Sequence, residues 1–163
     1  MKINYPNLQQ IIKKLASNHQ TISFAELCTG GRLAVVFTSI SGASEVFHGS
    51  VVSYSNDIKE TWLGVTHETL EKHGAVSSQC VQEMLQGIAN MTPTIKSDYA
   101  IAISGIAGPT GGTVDKPVGT VYIGLHSPSK QEIFKCLFGG NREEIQEQST
   151  AFAIAKLAEV LKI

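Results

Sequence analysis

The sequence predicts an α/β protein, a three-layer α/β/α sandwich built on a mixed β-sheet. Short β-rich segments alternate with helical patterns through the first half of the chain. Residues 99–106 (YAIAISGI) form a nearly continuous apolar run, which is typical of a strand buried on both faces of a sheet. Two more strand patterns follow in a hairpin-like pair before a long final helix, which indicates antiparallel strands beside the parallel ones.

The elements of the first half follow from the spacing of apolar residues. Residues 7–17 repeat apolar side chains at helical intervals and predict the first helix. A short β-rich strand at 21–26 runs directly into Gly30-Gly31. A buried helix is predicted at 33–40, since its apolar positions recur at helical spacing before a Ser-Gly pair. The next strand is predicted at 47–54.

The second half is interpreted in the same way. Helical spacing predicts three helices after the second strand, and Trp62, which lies among other apolar residues, is expected in the core. Two strands and a long helix complete the chain. The predicted helices of this half lie at 57–63, 67–72, 77–90 and 141–163, and the predicted strands at 99–106, 118–125 and 132–138.

The length and the net charge of the chain limit the classes of protein to which it can belong. A chain of 163 residues is expected to form a single domain, residues 1–163. Apolar residues make up 42% and charged residues 17%, which is the composition of a globular protein. The formal net charge is −1, so the chain lacks the positive field expected of a nucleic-acid or membrane-surface protein.

The cysteines favour a reducing compartment. Cys28, Cys80 and Cys136 are odd in number, far apart and without CxxC spacing, so neither a disulfide framework nor a zinc site is expected. The N-terminal segment has no apolar run of the kind that a signal peptide needs, and no stretch is long enough to span a bilayer. These features predict a cytoplasmic protein without a metal.

Three polar clusters follow predicted strands, where ligands bind in open α/β sheets. In the first, residues 26–31 (ELCTGG), Thr29 is able to cap the next helix. The amides of Gly30 and Gly31 could bind an anion at the N-terminal end of that helix, where the helix dipole is positive. The alternative is an ordinary strand–turn–helix junction.

The second cluster is residues 54–59 (YSNDIK). If a helix begins near Asn56, then Tyr54 and Lys59 flank its first turn and could face one pocket. A lysine in a partly dry site has a lowered pKa and can serve as a base. The alternative is a solvated surface lysine, the more common state of an isolated one.

The third cluster is a glycine-rich loop, residues 105–119, preceded by Ser104. Long loops in small domains are usually functional, and glycines such as Gly105, Gly111 and Gly112 expose amides that bind phosphate or carboxylate. The loop lacks the GK[ST] ending of a P-loop, and an ordered surface lid is the alternative. Arg142, just after a Gly-Gly-Asn segment, suits a phosphate clamp or a plain surface position.

Together these clusters resemble the CinA C-terminal family, the nicotinamide-nucleotide amidases, over nearly the whole chain. The family implies a three-layer α/β/α fold, self-association into a homo-oligomer, and hydrolysis of nicotinamide mononucleotide to nicotinic acid mononucleotide and ammonia without a cofactor. Larger members carry an additional N-terminal domain, and this chain resembles the stand-alone form. The matching segments are 25–31, 52–59, 63–65, 68–70, 73–77, 103–109, 111–112, 116–121, 138–139 and Arg142.

The resemblance also implies site residues. Lys59, Tyr54 and Ser104 match catalytic positions of the family. The substrate is a small pyridine nucleotide, with neither nucleic acid nor membrane as a partner. Its expected binding residues are Thr29, Gly30, Gly31, Asn56, Gly105, Gly111, Gly112 and Arg142.

One position departs from the family. Its first motif reads Glu-Ser-Cys-Thr-Gly-Gly, and Leu27 stands where the serine nucleophile is expected. Leucine cannot form an acyl intermediate. Cys28 or Thr29 would have to substitute, and neither is expected to point the same way. The sequence therefore leaves three hypotheses open: a weakly active or inactive amidase, a non-catalytic nucleotide-binding or regulatory protein, and a scaffold without a ligand.

Overall fold

A computed structural model describes residues 5–163, and its centre is one five-stranded mixed sheet. The strands lie in the order β2-β1-β3-β4-β5. Strand β1 pairs in parallel with both β2 and β3, and β4 and β5 add on as antiparallel strands. The strands are β1 Ile22–Glu26, β2 Phe47–Val52, β3 Tyr99–Gly105, β4 Thr120–His126 and β5 Gln131–Leu137.

Helices cover both faces of this sheet and confirm the three-layer prediction. One apolar cluster contains buried residues of α1, α2 and α6, and the other those of α3, α4 and α5. The helices are α1 Leu8–Ser17, α2 Arg32–Thr38, α3 Asn56–Leu63, α4 His67–His73, α5 Ser78–Ala89 and α6 Arg142–Val160. A short 3-10 turn, Ala43–Glu45, which the sequence did not predict, precedes β2.

The central strands are buried on both faces, as their apolar runs predict. Every residue of β1 and of β3 is buried. Their side chains alternate between the two clusters: Phe24 and Ile101 pack in the first, and Ala25 and Ala102 in the second. The parallel strands β2, β1 and β3 end at the same edge, so the segments that follow them meet there.

Two sequence expectations fail in detail. Trp62 is 54% exposed on α3, because Leu63 and Val65 fill the core next to it. Strand β4 begins at Thr120 rather than at Val118, because Gly119 adopts a left-handed conformation with φ 94° that ends the loop. No helix within residues 5–163 has the length and apolar character needed to cross a membrane.

Candidate functional site

The turn after β1 is built around a buried carboxylate. Glu26 is fully buried at the end of β1, and its two oxygens accept hydrogen bonds from five donors. Three of the donors are backbone amides at the start of α2, where the helix dipole favours negative charge. The donors are Thr29 Oγ1 (2.8 Å), Gly31 N (3.0 Å), Leu33 N (3.1 Å), Ala34 N (2.9 Å) and Ser50 Oγ (3.2 Å).

This arrangement changes the interpretation of the first cluster. Thr29 does not cap α2: Gly31 is the N-cap residue, and the Thr29 hydroxyl donates to Glu26 instead. The amide of Gly31 also donates to Glu26, and the amide of Gly30 donates to the carbonyl of Leu27. The anion at the start of α2 is therefore the protein's own carboxylate, and both glycine amides already have acceptors.

A cavity of about 220 Å³ opens at the carboxyl edge of the sheet. Its wall combines the turn after β1, the segment before α3, the glycine-rich loop and the start of α6. Among the predicted site residues, Tyr54, Gly105, Gly111 and Arg142 line it, together with the departing residue Leu27. The remaining lining residues are Cys28, Ile106, Ala107, Gly108 and Thr110.

Arg142 bridges this cavity. It is the first residue of α6, whose start is fixed by a capping box between Asn141 and Glu144. One guanidinium nitrogen (Nη1) donates to the carbonyl of Gly108 at 2.7 Å, and the other (Nη2) donates to the hydroxyl of Tyr54 at 2.9 Å. In the described part of the chain Arg142 forms no ion pair, so no carboxylate neutralises its charge.

Leu27 stands in the cavity wall, where it packs against the first apolar cluster. Its two neighbours are poor substitutes for a nucleophile. Burial raises the pKa of the Cys28 thiol to about 12, so the reactive thiolate is scarce at neutral pH. The Thr29 hydroxyl is buried and bound to Glu26. Neither side chain offers an activated nucleophile to the cavity.

Lys59 is a buried amine on α3. It is 0% exposed, which excludes the alternative of a solvated surface lysine. Its Nζ atom has two long contacts, 3.4 Å to the carbonyl of Tyr54 and 3.5 Å to that of Ser55, and forms no ion pair within residues 5–163. Burial lowers the pKa of Lys59, and the nearby Cys80 thiol opposes that shift.

The structure places Tyr54 and Lys59 differently relative to the cavity. The sequence predicted that both face one pocket, but only Tyr54 lines the cavity, and the buried Lys59 contacts the carbonyl of Tyr54 instead. Tyr54 is instead 60% exposed at the cavity mouth. The lowered pKa of Lys59 favours the neutral amine that a general base needs, but its side chain does not line the cavity.

Three further predicted residues do not line the cavity. Ser104 is buried, and its hydroxyl donates to the carbonyl of Ala75 at 2.7 Å. Asn56 is exposed at the first turn of α3, which Ser55 caps. Gly112 packs closely on the backbone of Val118, where a Cβ atom would lie 2.7 Å from the amide nitrogen.

Hydrogen bonds close the base of the glycine-rich loop and tie it to the end of α4. Gly119 N donates to the carbonyl of Ile106 at 2.8 Å, which closes the base of the loop. Lys116 Nζ donates to the carbonyl of His73 at 2.7 Å, at the end of α4. These contacts hold the loop against the body of the protein, so the cavity is pre-formed.

Within residues 5–163 no three His, Cys, Asp or Glu side chains gather as a metal site.

Comparison with known proteins identifies the family. Residues 5–161 match the model of the CinA C-terminal domain. The chain belongs to the CinA C-terminal domain family. A CinA superfamily protein from Klebsiella pneumoniae is 35% identical and superimposes with a TM-score of 0.90, over 99% of each chain. A competence/damage-inducible protein from Agrobacterium tumefaciens is 31% identical, with a TM-score of 0.87 over 100% of each chain.

Curated CinA-like relatives are longer proteins. The one from Thermotoga neapolitana is 45% identical over 152 residues, which are 93% of this chain and 36% of the relative. A CinA-like protein from Prochlorococcus marinus is 48% identical over 149 residues, 90% of this chain and 34% of the relative. The chain thus spans little more than a third of the length of these relatives.

Proposed function

We propose that the cavity binds a pyridine mononucleotide, and that the chain hydrolyses nicotinamide mononucleotide weakly or not at all. The observation that supports binding is the unneutralised Arg142 guanidinium, which is held across the cavity by Gly108 and Tyr54. A guanidinium in a fixed orientation suits a phosphate, since it can donate two parallel hydrogen bonds to it. Tyr54 offers an aromatic surface at the mouth for the ring or ribose.

The same cavity lacks the group that begins the reaction. Hydrolysis of a carboxamide through an acyl-enzyme needs a hydroxyl oxygen that bonds to the amide carbon, with ammonia as the leaving group and water completing the exchange. Leu27 presents only carbon at the family's nucleophile position. Lys59 then has no hydroxyl at that position from which to take a proton.

A second candidate function is nucleotide binding without catalysis, for example as a regulatory homologue. Leu27 favours it, since the wall beside the cavity is apolar while Arg142 remains available for an anion. The two proposals share the ligand and differ in turnover. An enzyme that has lost its nucleophile keeps about 10³–10⁴-fold acceleration from binding and electrostatics alone, so weak turnover fits the first proposal.

One purified sample tests both proposals. Titration calorimetry with nicotinamide mononucleotide measures binding, and ammonia release measures turnover. We expect binding with a rate far below the usual enzyme median of about 10 s⁻¹. Turnover near that median would contradict both proposals, since the chain would then use another nucleophile. Absence of both heat and thermal shift with any pyridine nucleotide would contradict ligand binding and leave a scaffold role.

The variant Leu27→Ser tests whether the missing hydroxyl is what limits the reaction. If the rest of the site is intact, the new hydroxyl should raise ammonia release well above the wild-type rate, with Lys59 as its base. Lys59→Ala in that background should abolish the gain, because a serine without a base is a weak nucleophile at neutral pH. A folded Leu27→Ser protein that binds the nucleotide and stays inert would show that more than residue 27 has changed.

A further inference from the structure

A second cavity, of about 230 Å³, lies beside the start of β1. Its walls come from Ser23 of β1, from β2, from the end of α5 and from the segment that leads from α5 to β3. The candidate site lies after the last residues of β1, and the two cavities share no lining residue among residues 5–163. The proposed function therefore leaves this second cavity unexplained.

The floor of the second cavity is open because two small residues meet there. Strand β2 carries an extra residue, His48, so the pairing shifts and places Gly49 opposite Ser23. A Cβ atom at Gly49 would meet no atom within 4 Å beyond its chain neighbours. The hydroxyl of Ser23 donates to the carbonyl of Ile88 at 3.2 Å, so this small side chain has its hydrogen bond. The opening thus follows from the sizes of the paired residues.

The sides of the second cavity are largely apolar. Val51 of β2 and Ile88 of α5 line it, together with Met91 and Ile95 from the segment after α5. Met91 is 40% exposed and Ile95 is 51% exposed, so both leave apolar surface in contact with water. A ligand that covers this surface gains the free energy of removing it from water. These side chains therefore favour an apolar ligand.

Hydrogen bonds hold the segment that carries Met91 and Ile95. The amide of Ser97 donates to the carbonyl of Ala89 at 2.9 Å and returns the chain to the end of α5. Inside this turn, the amide of Ile95 donates to the hydroxyl of Thr92 at 2.7 Å. A ligand therefore meets a wall that is already ordered, and its binding energy is not spent on ordering that wall.

One polar pair in the lining has capacity for a further hydrogen bond. Nδ1 of His48 lies 3.2 Å from Oγ of Ser97, and Ser97 is buried. A serine hydroxyl donates once and accepts twice, and an imidazole has a second nitrogen, so the pair can bind one more polar group. Within residues 5–163 the lining includes no Lys, Arg, Asp or Glu. A charged ligand would lose its water there without gaining an opposite charge.

We propose that the second cavity binds a small, uncharged aromatic molecule with one hydrogen-bonding substituent. An apolar cavity of about 150 Å³ holds benzene, so a cavity of about 230 Å³ accommodates one ring and its substituent. The ring packs against Ile88, Met91 and Ile95, and the sulfur of Met91 adds a favourable contact with an aromatic ring. The substituent forms its hydrogen bond with the pair of His48 and Ser97.

Methionine methyl NMR with phenol as the probe tests the proposal. The chain has three methionines; Met91 lines the second cavity, whereas Met84 is buried on α5 and does not line it. We expect phenol to shift the Met91 signal, which Met91→Leu identifies, far more than the Met84 signal. The shift should saturate with a Kd of about 0.1–1 mM. No shift of Met91, or a shift that rises linearly to about 10 mM phenol, would overturn the proposal.

Matched variants check where phenol binds. Ile95→Ala removes apolar contact from the half-exposed wall and should weaken phenol binding about three- to tenfold. The control is Leu137→Ala, at an exposed apolar side chain on β5, the opposite edge strand of the sheet, and it should leave the Kd unchanged. If Ile95→Ala has no more effect than Leu137→Ala, then phenol does not bind in the second cavity.

Two further probes test the chemistry of the ligand. Benzoate has the same ring with a charge and should bind at least about tenfold more weakly than phenol, because no cation lines the cavity within residues 5–163. Toluene has no hydrogen-bonding group, so Ser97→Ala should weaken phenol about fivefold and leave toluene unchanged. Equal binding of phenol and benzoate, or equal losses of phenol and toluene in Ser97→Ala, would contradict the assigned ligand class.

Discussion

Among the residues that the structure describes, the amine of Lys59 is buried without an anionic partner, and this lowers the stability of the fold. Burial lowers the pKa of Lys59 in the folded state below the value of about 10.4 that it has in the unfolded chain. The unfolded chain therefore binds more protons between the two pKa values, and the free energy of unfolding rises with pH across that interval. At pH values below the pKa of Lys59 in the folded state, the buried amine is charged, and the free energy of unfolding is reduced by the full cost of burying that charge.

We expect Lys59→Met, which keeps the volume of the side chain and removes the charge, to stabilise the protein at neutral pH. The gain should shrink as the pH rises toward about 10.4, since the lysine is then neutral in both states. Urea unfolding at pH 7 and pH 10 measures it, with the exposed Lys13→Met as the control. A gain that is equal at both pH values would mean that the lysine charge is not what destabilises the fold.

Arg142 makes a separate prediction for ligand binding. Arg142→Ala should weaken binding of nicotinamide mononucleotide about ten- to a hundredfold, because a charge-assisted hydrogen bond to phosphate contributes about 1.5–3 kcal/mol. Binding of the dephosphorylated nucleoside should change little. Calorimetry with both ligands measures the difference. Equal loss for both would indicate that the contacts of Arg142 to Gly108 and Tyr54 only hold the cavity in shape.

Single residues show where sequence reasoning succeeds and where it stops. Tyr54 and Arg142 could be assigned to one site because each follows a strand or opens a helix at the same edge of the sheet. Glu26 precedes the turn as a charged residue at the end of an apolar strand, a signal that could have been noticed. The buried hydroxyl of Ser53, which has no hydrogen-bond partner among residues 5–163, could not be predicted, because its surroundings depend on the register between β1 and β2.

At the scale of elements, helix α2 depends on a residue outside it. Its N-cap, Gly31, has no side chain, and the carboxylate of Glu26 accepts the hydrogen bonds of its first amides. Glu26 also binds Ser50 of β2, so one side chain joins β1, β2 and α2. This geometry fixes the turn that carries residue 27, which links the stability of the element to the shape of the site.

Glu26→Ala should lower the free energy of unfolding by about 3 kcal/mol or more, because it leaves several buried donors without an acceptor. The control is Glu45→Ala, at an exposed glutamate that ends the 3-10 turn, which should change stability by less than about 0.5 kcal/mol. Urea denaturation measures both. If Glu26→Ala lowers the free energy of unfolding no more than Glu45→Ala does, then water replaces the carboxylate as the acceptor at the start of α2.

The extents of the elements were predicted closely because apolar spacing and caps mark them. Helix α5 was expected at 77–90 and lies at Ser78–Ala89, where the Ser77 side chain accepts from Cys80 N at 3.1 Å. Trp62 was misplaced because its neighbours Leu63 and Val65 are apolar too, and spacing alone does not show which member of an apolar group faces solvent.

At the scale of the whole molecule, the sheet ends in two free edges. Strand β2 pairs only with β1, and β5 only with β4, among the residues that the structure describes. Large apolar side chains are exposed on both edge strands, Val52 at the end of β2 and Leu137 at the end of β5, and on two helices, Val35 on α2 and Trp62 on α3. Unpaired edges and exposed apolar groups favour association unless another surface covers them.

We therefore expect a homodimer or a larger closed oligomer, which is also the state that the family resemblance implies. Light scattering at micromolar concentration should give at least twice the 17.5 kDa mass of the chain. Leu137→Glu and Trp62→Glu locate the interface, since a buried, unpaired charge opposes assembly and only the variant within the interface should dissociate it. A wild-type mass of 17.5 kDa would contradict the expectation, because the exposed side chains would then remain in contact with water.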